Sequence, residues 1–211
     1  MPRIALLLCL LLVNPTGVQA ECECLWAGPF SKVQVDTDLV VSATVSTMKG
    51  NSIDLDIDRV LRGKVYTESI RVWLDTGDTC RAEPGTFEMN SQWVMALQRI
   101  DELIPGGFDP RTPNFSYGRV GDYSLSRCGG YWLSQSENLV SGNLVGGARW
   151  DMAPKMSPIL IDLVEGFVNG TIDEATLKEA GKNNPALQQL ILDTRIHLRQ
   201  QRALQDATPD S

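Results

Sequence analysis

The clearest hydropathy signal in the chain is Ile53-Asp54-Leu55-Asp56-Ile57-Asp58, which alternates apolar and acidic residues. A period of two places Ile53, Leu55 and Ile57 on one face of a strand and the three aspartates on the other, wet face. Val60-Leu61-Arg62-Gly63-Lys64 closes that strand. Upstream, Leu39-Val40-Val41-Ser42-Ala43-Thr44-Val45 is β-branched and bounded by the turn Lys49-Gly50-Asn51-Ser52. Downstream, Ser69-Ile70-Arg71-Val72-Trp73-Leu74 predicts a third strand, ended by Asp75-Thr76-Gly77-Asp78. After the turn Glu83-Pro84-Gly85, a fourth strand is expected over Gln92-Trp93-Val94-Met95-Ala96-Leu97-Gln98. A Pro- and Gly-rich loop from Ile104 to Pro113 precedes a fifth, weaker strand around Tyr117 to Leu125. Five short strands with this turn punctuation predict a small barrel or sandwich.

The pattern changes after Trp150. Ser157-Pro158 can cap and start a helix, and Met156, Ile159, Leu160, Leu163, Val164, Phe167 and Val168 follow at helical spacing until Asn169-Gly170. Thr171-Ile172-Asp173-Glu174 fits a capping box for a second helix reaching Ala180-Gly181. Asn184-Pro185 begins a third, with the stripe Leu187, Leu190, Ile191, Thr194, Leu198. The expected organisation is a signal peptide over 1–20, a β-domain over 21–150, an α-helical extension over 151–205 and a flexible tail over 206–211.

The signal peptide rests on Arg3, the apolar run Ile4 to Val13, the breakers Asn14, Pro15 and Gly17, and small residues before the cleavage point after Ala20. That run is shorter than the ~20 residues a membrane span needs, and no later stretch is long and apolar enough. The mature product is therefore expected to be secreted or periplasmic, with no membrane span. The full chain carries 19 basic and 26 acidic residues, a net charge of −7. Residues 1–20 hold one charge, Arg3, so the mature chain is more acidic still, which excludes a polyanion such as nucleic acid as partner.

Catalytic chemistry finds little to use. The one histidine, His197, sits among Arg195, Leu198 and Arg199 and reads as a helix-surface residue rather than a base. One histidine cannot supply a usual catalytic zinc set. Gly106-Gly107, Gly129-Gly130 and Gly146-Gly147 lack the Lys-Ser/Thr ending of a phosphate loop and read as turns. Asp54, Asp56 and Asp58 lack the glycine and distal Glu of a calcium loop. Tyr117, Tyr123, Tyr131, Trp132 and Trp150 read as core packing beside Cys128. No catalytic residue, no cofactor and no metal of the chain's own is expected.

Export leaves four cysteines, Cys22, Cys24, Cys80 and Cys128, an even number for which disulfides are the default. Four cysteines allow three pairings, and spacing does not choose among them. In an extended Cys22-Glu23-Cys24 the two side chains point to opposite faces and can pin the N-terminus to two strands at once. A Cys22–Cys24 bond would instead close a small, strained and reducible ring, a redox pattern with no thioredoxin-like βαβ unit around it.

The Cys22-Glu23-Cys24 start, Ala43-Thr44-Val45 on the first strand, Val60-Leu61-Arg62-Gly63 closing the second, Cys80 after the third and Cys128 after the fifth together resemble the tissue inhibitors of metalloproteinases and the wider netrin-like module. The resemblance covers residues 22–135, of a divergent bacterial-type member with a helical C-terminal extension. It implies a mainly β fold, an OB-like five-stranded barrel, with Cys22–Cys80 and Cys24–Cys128 bridges. It also implies a non-enzymatic protein that binds a partner, such as an extracellular metalloprotease, through Cys22, Glu23, Cys24, Leu25 and Trp26. Loops Lys49–Ser52 and Ile104–Pro113 would flank that contact. In the family, the amino group and carbonyl of the N-terminal Cys chelate the protease's zinc; here Glu21 precedes Cys22, so Cys22 could approach a partner's zinc that way only as the N-terminus. The alternative is an exported structural or interaction protein in which the disulfides only stabilise and the C-terminal helices bind a partner.

Overall fold

A computed structural model describes residues 22–105, 107, 115–146 and 158–183. The expected signal peptide, Trp150, the third helix with His197, and the C-terminal tail lie outside them.

The fold is mainly β. Strands β1 (Leu39–Lys49) and β2 (Ser52–Arg62) form a long antiparallel hairpin turned by Gly50-Asn51, with Gly50 at φ +60°. β2 pairs antiparallel with β3 (Ser69–Trp73), and β1 pairs antiparallel along its other edge with β4 (Gln92–Arg99). The short β5 (Tyr123–Ser124) runs parallel to β3 and antiparallel to β4. The ring β1-β2-β3-β5-β4 thus returns to β1 as a closed five-stranded barrel. Register shifts at three points along the β1–β2 pair supply the bending that closure needs.

Two apolar layers follow from this geometry. Leu39, Val41, Ala43 and Val45 of β1 face the barrel interior with Ile53, Leu55, Ile70, Val72, Met95, Leu97, Tyr123 and Leu125. Val40 of β1 and Val94 and Ala96 of β4 point outward, yet they are equally buried, in a second core with Phe30, Leu61, Leu133, Val140 and Ile159. The cover comes from segments the hydropathy pattern does not announce. β6 (Trp132–Ser136) pairs with β4 beside the short β5, β7 (Leu139–Ser141) folds back on β6, and β8 (Ile159–Leu160) pairs with β7. A four-residue helix α1 (Phe30–Val33) leads into β1.

Helix α2 (Ile161–Val168) buries Ile161, Val164 and Val168 in the outer core, and α3 (Glu174–Asn183) adds Leu177. Outside that core, Arg59 of β2 pairs with Asp162 at 2.6 Å and with Glu165, which ties the hairpin to α2.

Three expectations need correction. The first helix does not start at Ser157-Pro158: Ile159 and Leu160 are drawn into the free edge of β7, and the helix begins at Ile161. Its end at Asn169-Gly170 is as expected, with Gly170 at φ +74°. The second helix is capped by Asp173, whose Oδ1 accepts from the Thr176 N–H at 2.8 Å and its hydroxyl at 2.6 Å. Thr171 instead donates its hydroxyl to Gly166 O at 2.9 Å, closing off α2. The fifth strand is two residues long rather than spanning Tyr117 to Leu125, because β6 takes over the β4 edge at Met95.

The aspartate face of β2 is solvated but not idle. Arg71 holds Asp54 through two hydrogen bonds of 2.7 and 2.8 Å, Ser46 donates to Asp56 and Thr44 to Asp58.

Candidate functional site: the N-terminal anchor

Residues 22–29 carry no regular secondary structure, so whatever order they have comes from cross-links. Cys22 is bonded to Cys80 and Cys24 to Cys128, with Cα separations of 5.3 and 5.7 Å. Cys80 ends the loop after β3, where Arg81 forms an isolated bridge with Ser126, and Cys128 follows β5. The two bridges therefore fasten residues two positions apart in one segment to two stretches that Arg81 and Ser126 bring side by side. All four sulfur atoms lie within 4.8 Å of one another.

Backbone hydrogen bonds continue the anchor. The Ala27 N–H donates to Cys128 O at 2.6 Å, Gly130 N–H to Gly28 O at 2.9 Å, and Phe30 N–H to Asn143 O at 2.7 Å. Gly129-Gly130 is accordingly a packing site rather than a simple turn. A Cβ on Gly130 would meet Asn143 O at 2.8 Å and the Phe30 N at 2.9 Å.

Arg127, next to Cys128, holds the Cys22 end. Its Nη2 donates to Cys22 O at 2.9 Å, while Nη1 stands 3.8 Å from Asp75 and 3.9 Å from Glu83. Asp75 is itself fixed, accepting from the Thr79 N–H at 3.0 Å and its hydroxyl at 2.7 Å. Burial pushes the Asp75 carboxyl up, but these bonds, a further one from Gly77 and the Arg127 charge more than offset it and hold the pKa below the usual value.

The result is a rigid segment with an apolar tip. Glu23 and Cys24 are exposed, Cys22 is half-buried, and Leu25 and Trp26 are 93% and 58% exposed. The expected contact residues are thus contiguous at the surface. Beside the Cys80 end lies a cavity of about 420 Å³ lined by Thr79, Cys80, Arg81, Ile104, Ser126 and Tyr131 among others. Burial lowers the pKa of Arg81, against the opposing influence of Asp75 and Tyr117, and its Nη1 donates to Tyr117 O at 2.6 Å.

Of the two flanking loops, Ile104 reaches this cavity, and residues 106 and 108–114 of the second loop lie outside the described residues. The Lys49–Ser52 turn is committed elsewhere: the buried Asn51 amide donates to Leu74 O and Ser116 O, each at 2.8 Å. Among the described residues no hydrogen bond or ion pair joins that turn to Cys22–Trp26. Arg127 and Arg81 belong to no sequence motif, and Asp75 reads only as the start of a turn; the one local signal for the two arginines is a cation adjoining a cysteine. Tyr123 is buried, and Tyr131 and Trp132 pack against the inner core, while Tyr117 bonds Asp78 at the surface.

Two disulfides are the mark of an oxidising environment. Among the described residues no helix is long and apolar enough to cross a membrane. No family model, no curated protein and no solved structure matches the chain.

Proposed function

We propose that this protein is an exported, non-enzymatic binding module of the metalloprotease-inhibitor and netrin-like type, secreted or periplasmic, whose contact site is Cys22–Trp26. The observation that carries the reading is the exposure of Leu25 and Trp26 on a segment that two disulfides and the Ala27 N–H hold in one shape. A preorganised apolar tip binds without the ordering cost that a loose terminus would incur, and tryptophan is a preferred interface anchor. The ring order β1-β2-β3-β5-β4, with its single parallel pair, supports reading the barrel as OB-like.

The contact is made by side chains rather than by zinc chelation. The Cys22 carbonyl is already engaged by Arg127, and Glu21 stands ahead of Cys22 in the sequence. The second reading, with the C-terminal helices binding the partner, has less surface to work with on the two described helices, because Ile161, Val164, Val168 and Leu177 are buried in the outer core.

The test measures binding and inhibition of extracellular zinc-metalloprotease catalytic domains by the mature protein and by Trp26→Ala. Loss of a Trp anchor is expected to weaken binding roughly 30-fold, the size of a 2 kcal/mol hot spot. Absence of binding by the intact protein, or equal binding by the variant, overturns the proposal. Mass spectrometry of the mature N-terminus adds the zinc arm: a chain starting at Glu21 agrees with side-chain contact, and one starting at Cys22 reinstates chelation.

A further inference from the structure

The four-sulfur cluster is more compact than two independent bridges require. A tetrahedral zinc–thiolate centre has Zn–S distances of about 2.3 Å, which places its sulfurs about 3.8 Å apart. Here all four Sγ atoms lie within 4.8 Å of one another. Opening each bridge takes its two sulfurs from about 2 Å to about 3.8 Å apart, a shift of about 0.9 Å per atom that side-chain rotation supplies.

Three of the four residues are also held by bonds that do not involve sulfur. The Arg127 N–H donates to Cys80 O at 3.0 Å, the Ala27 N–H to Cys128 O at 2.6 Å, and Arg127 Nη2 to Cys22 O at 2.9 Å. Reduction therefore leaves bonds that keep Cys22, Cys80 and Cys128 close together, with Cys24 two residues along the chain from Cys22. The exposed Cys24 gives reductant and metal a way in.

We propose that this cluster has a second, reduced state in which Cys22, Cys24, Cys80 and Cys128 bind one Zn2+ tetrahedrally, so that a metal replaces the two bridges as the anchor of the N-terminal segment. Each disulfide takes two electrons from a phosphine and two protons from water, whose oxygen ends on the phosphine oxide, and yields two thiols. The four thiols lose their protons to solvent on binding Zn2+, leaving a centre of net charge −2. The state does not depend on the partner proposed above.

The experiment uses the mature protein, reduced anaerobically with a phosphine and titrated with Co2+ as spectroscopic probe. One equivalent should produce thiolate-to-cobalt charge transfer and the intense visible bands of a tetrahedral site, displaced by Zn2+. Cys24→Ser and Cys80→Ser should each weaken binding at least tenfold. Alkylation mapped by peptide should modify all four cysteines in the reduced metal-free chain and spare all four in the zinc-loaded chain, a readout that needs no variant to fold. Binding of several weak equivalents, equal binding by the unreduced chain, or equal alkylation with and without zinc overturns the proposal.

Discussion

Removing the Cys24–Cys128 bridge by Cys24→Ala with Cys128→Ala should cost less than its span suggests. Alone, a bridge closing 104 residues restricts the unfolded chain by about 4.7 kcal/mol in the chain-entropy treatment. The first bridge shortens that loop. From Cys24 the chain runs two residues back to Cys22, crosses to Cys80 and follows 48 residues to Cys128. The loop it closes is therefore about 50 residues, worth about 4 kcal/mol. The same short circuit faces Cys22–Cys80, whose own separation is 58 residues, so Cys22→Ala with Cys80→Ala should cost about 4 kcal/mol as well. Urea denaturation of the two double variants and the parent, read by tryptophan fluorescence, measures the difference from midpoints and slopes. A clearly larger loss for the Cys24–Cys128 pair, tracking its longer span, would refute the short-circuit argument. A loss below about 1 kcal/mol in both would show that the backbone bonds of residues 27–31 suffice to hold the segment.

Asn51→Ala removes the amide bonds to Leu74 O and Ser116 O and the acceptor for the Ser116 N–H at 2.9 Å, leaving buried groups unpaired. It should cost about 3 kcal/mol, seen in urea midpoints, with the stronger local effect in hydrogen exchange at Ser116. Gly130→Ala places a methyl against two backbone atoms that cannot rotate away, and a destabilisation of about 1–3 kcal/mol is expected. Asp75 has a lowered folded-state pKa, so its contribution is complete at neutral pH. It is lost as pH falls below the ordinary carboxylate value of about 3.9 and on through the folded-state value. Asp75→Asn should flatten that acid limb of a stability–pH curve, and an unchanged limb would rule the residue out.

Whether a strand was legible depended on what covers its outer face. β2 alternates cleanly because Asp54, Asp56 and Asp58 face outward, where Arg71, Ser46 and Thr44 meet them at the surface. β1 and β4 read as continuous apolar runs, Leu39-Val40-Val41 and Val94-Met95-Ala96-Leu97, because both of their faces are buried. That apolar continuity was visible, but not what buries the outer side. β6, β7 and β8 are five, three and two residues long, too short to show a period, and the polar Ser134, Gln135 and Ser136 break any apolar alternation in β6. Ile159 and Leu160 fit a helical stripe equally well, and only the free edge of β7 decides against it. At the site, the Cys22-Glu23-Cys24 start marked a candidate double anchor, while the pairing followed from the family resemblance and not from the spacing. Arg127 acts on Cys22 across 105 residues, a contact no local pattern encodes.

The crossing of the two bridges has a consequence for the order in which the molecule can be completed. A chain that emerges N-terminus first presents Cys22 and Cys24 long before either partner is available. Cys80 arrives next and can capture either of them, and Cys128 closes the second link only after all of β1 to β5 has appeared. The terminal segment, first to be made, is thus the last to be locked, and a wrong early capture of Cys24 by Cys80 has to be undone by thiol–disulfide exchange before the barrel can hold its tip in place.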